Sequence, residues 1–171
     1  MLDRAHEMTD DEMIIYERAD LDESRLPENQ YNLIFSSLAF HYLINLPNLI
    51  KEIGKGLKSS GRLVFSIEHP IYTAPSNPTF LVHEEDGERK REIWPLDDYQ
   101  IEGSRTTKWF VAGVQKQHRT VGSYVNILLS NDFRLTNFVE WLPTKEDMKE
   151  YPEAEKDVIR PKFLLIGAMK A

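Results

Sequence analysis

The chain has 171 residues, 41% of them hydrophobic, which is enough for one compact unit with its own core. Its 28 acidic residues outnumber 21 basic ones, giving a net charge of -7 that argues against a phosphate backbone as partner. It contains no cysteine, which removes disulfides and thiolate metal ligands. No metal site is read, and no apolar run suggests a membrane span, so the expected setting is soluble and cytoplasmic.

In chain order, Leu2 to Met8 reads as the last turns of a helix. Met13 to Ala19 is strand-like and ends at the acidic turn Asp20-Leu21-Asp22-Glu23. Leu33-Ile34-Phe35 is a continuous apolar triplet, as in a parallel strand buried on both faces. Pro47 suits the first turn of a helix whose apolar face is Leu49, Ile50, Ile53 and Leu57, and Ser59-Ser60-Gly61 is read as its end. Leu63 to Ile67 returns to strand and completes a βαβ unit. Residues 70 to 118 are broken by Pro70, Pro75, Pro78 and Pro95 and carry Trp94, Tyr99, Trp109 and Phe110. A segment that long without regular order is uncommon unless functional, and we read it as a cap with short strands. Within it, Arg89-Lys90-Arg91 is flanked by acidic residues and reads as a solvated loop. A helix opens at Thr120, with Val121, Tyr124, Val125, Leu128 and Leu129 on one face. Strands are expected from Arg134 to Trp141 and from Phe163 to Met169.

This order, together with Ser36 to Tyr42, Phe65 to Pro70, His118-Arg119-Thr120-Val121 and Arg160 to Ile166, resembles the later part of a class I S-adenosylmethionine-dependent methyltransferase. The resemblance covers essentially the whole chain. It implies an α/β fold: a single, incomplete Rossmann-like sheet over 1–171, mostly parallel, whose last strand runs antiparallel between its predecessors, with a cap insertion over 70–118. The family's glycine-rich turn and its ribose-binding acid have no counterpart in these residues. Two family strands would then be missing beside the Tyr31 strand, leaving an open edge. The expectation is self-association through that edge, an exchanged N-terminal segment, or refolding of residues 1–30 against it.

The resemblance also assigns site residues. Asp20 and Leu21 correspond to the acidic turn that meets the adenine, although a lone Asp in such a turn is more often solvated. Ser36, Ser37 and Leu38 would line the crevice beyond the carboxyl edge of the sheet, where backbone meets the methionine end of the cofactor. The two serines suit a helix cap equally well. His41 either faces that site or packs inward with one nitrogen on backbone. Tyr42 and Glu68 fall on the acceptor side. Pro70 forces extended backbone at His69 and so fixes where its imidazole points. His69 and His118 are the candidate catalytic residues. Arg119 either holds an acidic group of the substrate or is an ordinary surface arginine. Trp94 and Trp109 either close over the reacting centre or fasten the cap to the core.

The implied function is methyl transfer from S-adenosylmethionine to a small-molecule acceptor, with cofactor binding weak or dependent on another chain. The alternative is a non-catalytic binding or assembly module derived from such an enzyme. A nucleotide-sugar or phosphate binder ranks last, because no glycine loop or P-loop is present.

Overall fold

The computed structural model describes residues 2–85, 89–107 and 113–171. Helix α1 (Leu2–Met8) matches the expected N-terminal helix. The expected strand from Met13 to Ala19 does not form, and residues 9–30 contribute no strand. Met13 is 89% exposed. A β-branched run gains its ladder only from a neighbouring strand, and none lies beside it.

A four-stranded sheet carries the fold, in the order β1 (Tyr31–Ser37), β2 (Leu57–Glu68), β8 (Phe163–Lys170), β7 (Phe133–Glu140). Strands β1 and β2 are parallel, and β8 runs antiparallel between β2 and β7. Helix α2 (Leu46–Gly56) has Pro47 in its first turn and crosses between β1 and β2. It buries Leu49, Ile50 and Ile53 against Leu63, Phe65 and Ile67 of β2, each worth about 1.5–3 kcal/mol relative to exposure. The helix ends three residues before the predicted Ser59–Gly61 stop, because β2 already begins at Leu57. Ser60, at φ 61°, and Gly61 bend the start of that strand. A Cβ on Gly61 would lie 2.8 Å from the Lys58 carbonyl oxygen, so no larger residue fits there without a backbone shift.

Helix α4 (Val121–Leu129) is capped by the Thr120 hydroxyl, which accepts from the Ser123 N–H, and buries Tyr124 and Leu128 in the same core. Both long helices lie on one face of the sheet. On the other face Leu33 and Phe35, in register with Arg62 and Val64, are 56% and 67% exposed. The apolar triplet of β1 is therefore not covered on both faces by the described residues. Among the described residues strand β1 is also an edge strand, as its expected lack of neighbours implied, and residues 2–30 add no strand to it.

Between β2 and α4 the cap comprises α3 (Pro70–Thr73) and two antiparallel hairpins, β3 (Leu81–Glu85) with β4 (Arg89–Ile93) and β5 (Gly103–Thr107) with β6 (Val114–His118). Beyond β7, α5 (Lys145–Glu150) opens with a reciprocal capping box of Thr144 and Asp147, and α6 (Lys156–Ile159) leads into β8. Among the described residues no helix is long and apolar enough to cross a membrane, and no group of three or more His, Asp or Glu could hold a metal ion.

Candidate functional site

Parallel strands deliver their carboxyl ends to one edge, and the ladder puts Ser36 beside Phe65 and Ser37 beside Ser66. Glu68 and His69 therefore follow Ser36–Ser37 at the same edge, which is where open α/β sheets bind ligands. Leu38 sits there at φ 49°, and its N–H donates to the Ser66 carbonyl (3.0 Å) and hydroxyl (3.2 Å). A left-handed non-glycine residue costs of order 1–3 kcal/mol and tends to occur where the backbone is shaped for a ligand. The 3-10 turn Phe40–Tyr42 follows, anchored by Phe40 against Phe65 at 5.0 Å. Asp20 and Leu21 lie in an exposed turn where the Asp20 carboxylate accepts from the Asp22 N–H. The Asp22 carboxylate in turn accepts from the N–H groups of Ile44 and Asn45, tying this turn to the loop after Tyr42.

The three histidines singled out in the sequence are all buried, each with Nδ1 as an acceptor. His41 Nδ1 accepts from the Glu68 N–H (3.3 Å), and its ring lies 4.3 Å from that of Tyr42. Burial, with the charge of Lys116, holds its pKa down to about 3. His69 Nδ1 accepts from the Ile71 N–H and caps α3, so Nε2 carries the hydrogen and donates to Glu140 at 3.0 Å. His118 Nε2 donates to the Tyr99 carbonyl (3.0 Å), so Nδ1 accepts from the Thr73 hydroxyl (2.9 Å). Burial lowers the pKa of both, outweighing Glu140 at His69 and the Tyr99 carbonyl at His118. All three are neutral near pH 7. His69 and His118, at the two ends of the cap, both converge on α3.

Arg119 is buried rather than on the surface, and its Nη2 donates to the carbonyls of Leu43 (2.6 Å) and Ile44 (2.9 Å). Trp94 fastens the cap: its indole N–H donates to the Ile71 carbonyl, and its ring stacks on Tyr72 at 5.9 Å. Trp109 lies outside the described residues.

Under the cap is a cavity of about 520 Å³, walled by α3, the turn after it and the β5–β6 hairpin. Glu68 and Lys116 pair at its base, the ammonium meeting both carboxylate oxygens at 2.6 and 2.8 Å with both side chains at most 5% exposed. Lys116 was not among the residues singled out from sequence. The signal for it was the alternation Val114-Gln115-Lys116-Gln117-His118, which turns Lys116 and His118 inward together. Tyr72 and Arg105, also in the cavity wall, gave no local signal.

An open α/β sheet with a crevice at its carboxyl edge, a reversed last strand and a cap over that edge defines a ligand-binding domain of the Rossmann-like class. The methyltransferase domain model matches residues 1–65. The crystal structure of an S-adenosylmethionine-dependent methyltransferase from Mesorhizobium loti superposes with a TM-score of 0.92 at 40% identity, covering 99% of this chain and 76% of that one. Its counterpart from Listeria monocytogenes gives 0.85 at 34% identity, covering 100% and 76%. An uncharacterized protein of Haemophilus influenzae is 35% identical over 148 residues, 86% of this chain, and the chain spans 57% of that curated relative's length. The chain belongs to the S-adenosylmethionine-dependent methyltransferase family.

Proposed function

We propose that the chain takes part in methyl transfer from S-adenosylmethionine to a small-molecule acceptor, the cofactor meeting Ser36, Ser37 and Leu38 and the acceptor entering the cap cavity beside Glu68. The observation that carries this reading is the shared edge: the Ser36–Leu38 turn, shaped by a left-handed residue, adjoins Glu68 at the base of a cavity of about 520 Å³. Cavities of this size suit small organic ligands. Asp20 and Leu21, tied through Asp22 to the loop after Tyr42, are the adenine-side candidates, and His41 backs the same turn from below.

When bound, S-adenosylmethionine supplies an electrophilic methyl group on a sulfonium. The chain's own residues supply position: His69 and His118 set the height of α3 over the edge, Trp94 locks the cap, and Glu68 with Tyr42 faces the acceptor. Orientation of two reactants is worth roughly 7–11 kcal/mol, more than the 10²–10⁴-fold of a general base, so histidines engaged in internal hydrogen bonds are compatible with this chemistry. Within these residues no glycine-rich turn precedes β1, and we infer that the 171-residue chain binds the cofactor weakly or conditionally. Self-association through the exposed edge at β1, the strand that carries Leu33 and Phe35, and a cytoplasmic location complete the reading.

Calorimetric titration of the chain with S-adenosylmethionine tests it. Weak, saturable heat that disappears in Ser37→Trp, a substitution at an exposed position, is the expected result. No heat from folded protein ends weak unaided binding and leaves only the conditional form, and tight one-to-one binding by a monomer ends the weak or conditional reading altogether.

A further inference from the structure

Arg160 follows α6 and enters the space between the cap and the sheet with its side chain 13% exposed. Its guanidinium carbon lies 4.4 Å from the ring centroids of Tyr72 and Trp94 and 5.1 Å from that of Phe80. Rings engage the faces of a guanidinium and leave its in-plane N–H groups unused. Here Nε and Nη1 are buried and have no hydrogen-bond partner among the described residues, while Nη2 lies 3.8 Å from Asp157 Oδ1, beyond hydrogen-bonding range. Buried donors without an acceptor are costly and call for an explanation; Arg119 Nη1 and Thr107 Oγ1 are in the same state, but only at Arg160 do two such donors sit among aromatic rings, one of which walls a cavity.

Arg160 does not itself line the cavity, and the two cations that do have hydrogen-bond acceptors already. Lys116 is bidentate on Glu68, and Arg105 donates to the carbonyls of Ala74, Asp98 and Ile101. The Tyr72 ring is at once a wall of the cavity and a cover of Arg160, so the guanidinium stands one ring behind the ligand space.

We propose that Arg160 anchors a carboxylate on the methyl acceptor, reached from the cap cavity when Tyr72 turns aside. The proposal rests on the methyltransferase reading and names the chemical class of its acceptor: a small organic acid. A planar carboxylate fits a slot between aromatic rings better than a tetrahedral phosphate does, and its two oxygens match guanidinium N–H spacing.

The test is the arginine Nε–H region of a proton–nitrogen correlation spectrum of the chain, with the Arg160 signal identified by its loss in Arg160→Lys. Sodium benzoate is the probe, and benzamide, sodium phosphate and sodium chloride at matched concentration are the controls. The expected result is a saturable shift of the Arg160 signal with benzoate and none with benzamide or chloride. Equal movement with benzamide, movement only with phosphate, or no movement with benzoate overturns the proposal. If Arg160→Lys does not fold, the Trp94 indole N–H signal, identified by Trp94→Phe, reports the same event in the wild-type chain, and its indifference to benzoate counts equally against the anchor. No cofactor enters this measurement, so its failure is separate from failure of the S-adenosylmethionine titration.

Discussion

The ammonium of Lys116, on the last strand of the cap, meets both carboxylate oxygens of Glu68 at the end of β2, at 2.6 and 2.8 Å. Both groups are withdrawn from water, so each is tolerable only because of the other. Lys116→Met should therefore cost about 3–5 kcal/mol by stranding the carboxylate, as should Glu68→Gln by stranding the ammonium, whereas the double variant Glu68→Gln/Lys116→Met costs less than either cost doubled. Urea denaturation of the three variants measures this. Single variants within about 1 kcal/mol of the parent would show that the pair is not holding the cap.

The buried histidines set the acid limit of the fold. His41, His69 and His118 have folded pKa values below the usual 6.5, His41 at about 3, so between these values and 6.5 the unfolded chain binds more protons than the native one. Stability is thus full above about pH 6.5 and falls as the pH drops, by up to about 1.4 kcal/mol per pH unit for each histidine still neutral when folded. Thermal unfolding followed from pH 8 to pH 4 should show a steady fall beginning near 6.5. A flat profile down to pH 5 contradicts the neutral assignment.

Ser60 holds a left-handed backbone at φ 61° on an exposed part of β2. Ser60→Gly removes the Cβ penalty and should raise stability by about 0.5–1 kcal/mol, even though glycine loosens the unfolded chain. The midpoint of chemical denaturation moves up if the strain is real and down if Ser60 is at ease.

Phe35 and Leu33 sit on the open face of edge strand β1. If this face mediates self-association, Phe35→Glu shifts the sedimentation profile of the 171-residue chain toward monomer without lowering its helical content. A parent chain that sediments as monomer at every concentration removes the premise.

That the candidate residues Ser36–Leu38 and Glu68–His69 share one edge was legible from residue order, because strand ends are local features. The apolar run to Phe35 and the run Leu63 to Ile67 mark two strands, and two parallel strands bring Ser36–Leu38 and Glu68–His69 to one edge. What His69 and His118 do there was not legible. Their bonds to Glu140, Thr73 and Tyr99 span up to 71 residues of separation, and no local pattern encodes the partner of a side chain.

By itself the amino-acid sequence marked the order of most elements from Tyr31 onward, since apolar periodicity dictates which residues must leave water, and its motifs carried the family resemblance that implied the reversed last strand. Tertiary structure alone decided that Met13 to Ala19 has no ladder to join, that Lys116 is spent on Glu68, and that Arg160 lies between aromatic rings with donors to spare. Burial is a property of single positions and leaves a periodic trace along the chain. Hydrogen-bond partnership belongs to pairs of positions far apart in sequence, and only the packed fold brings those pairs within 3 Å.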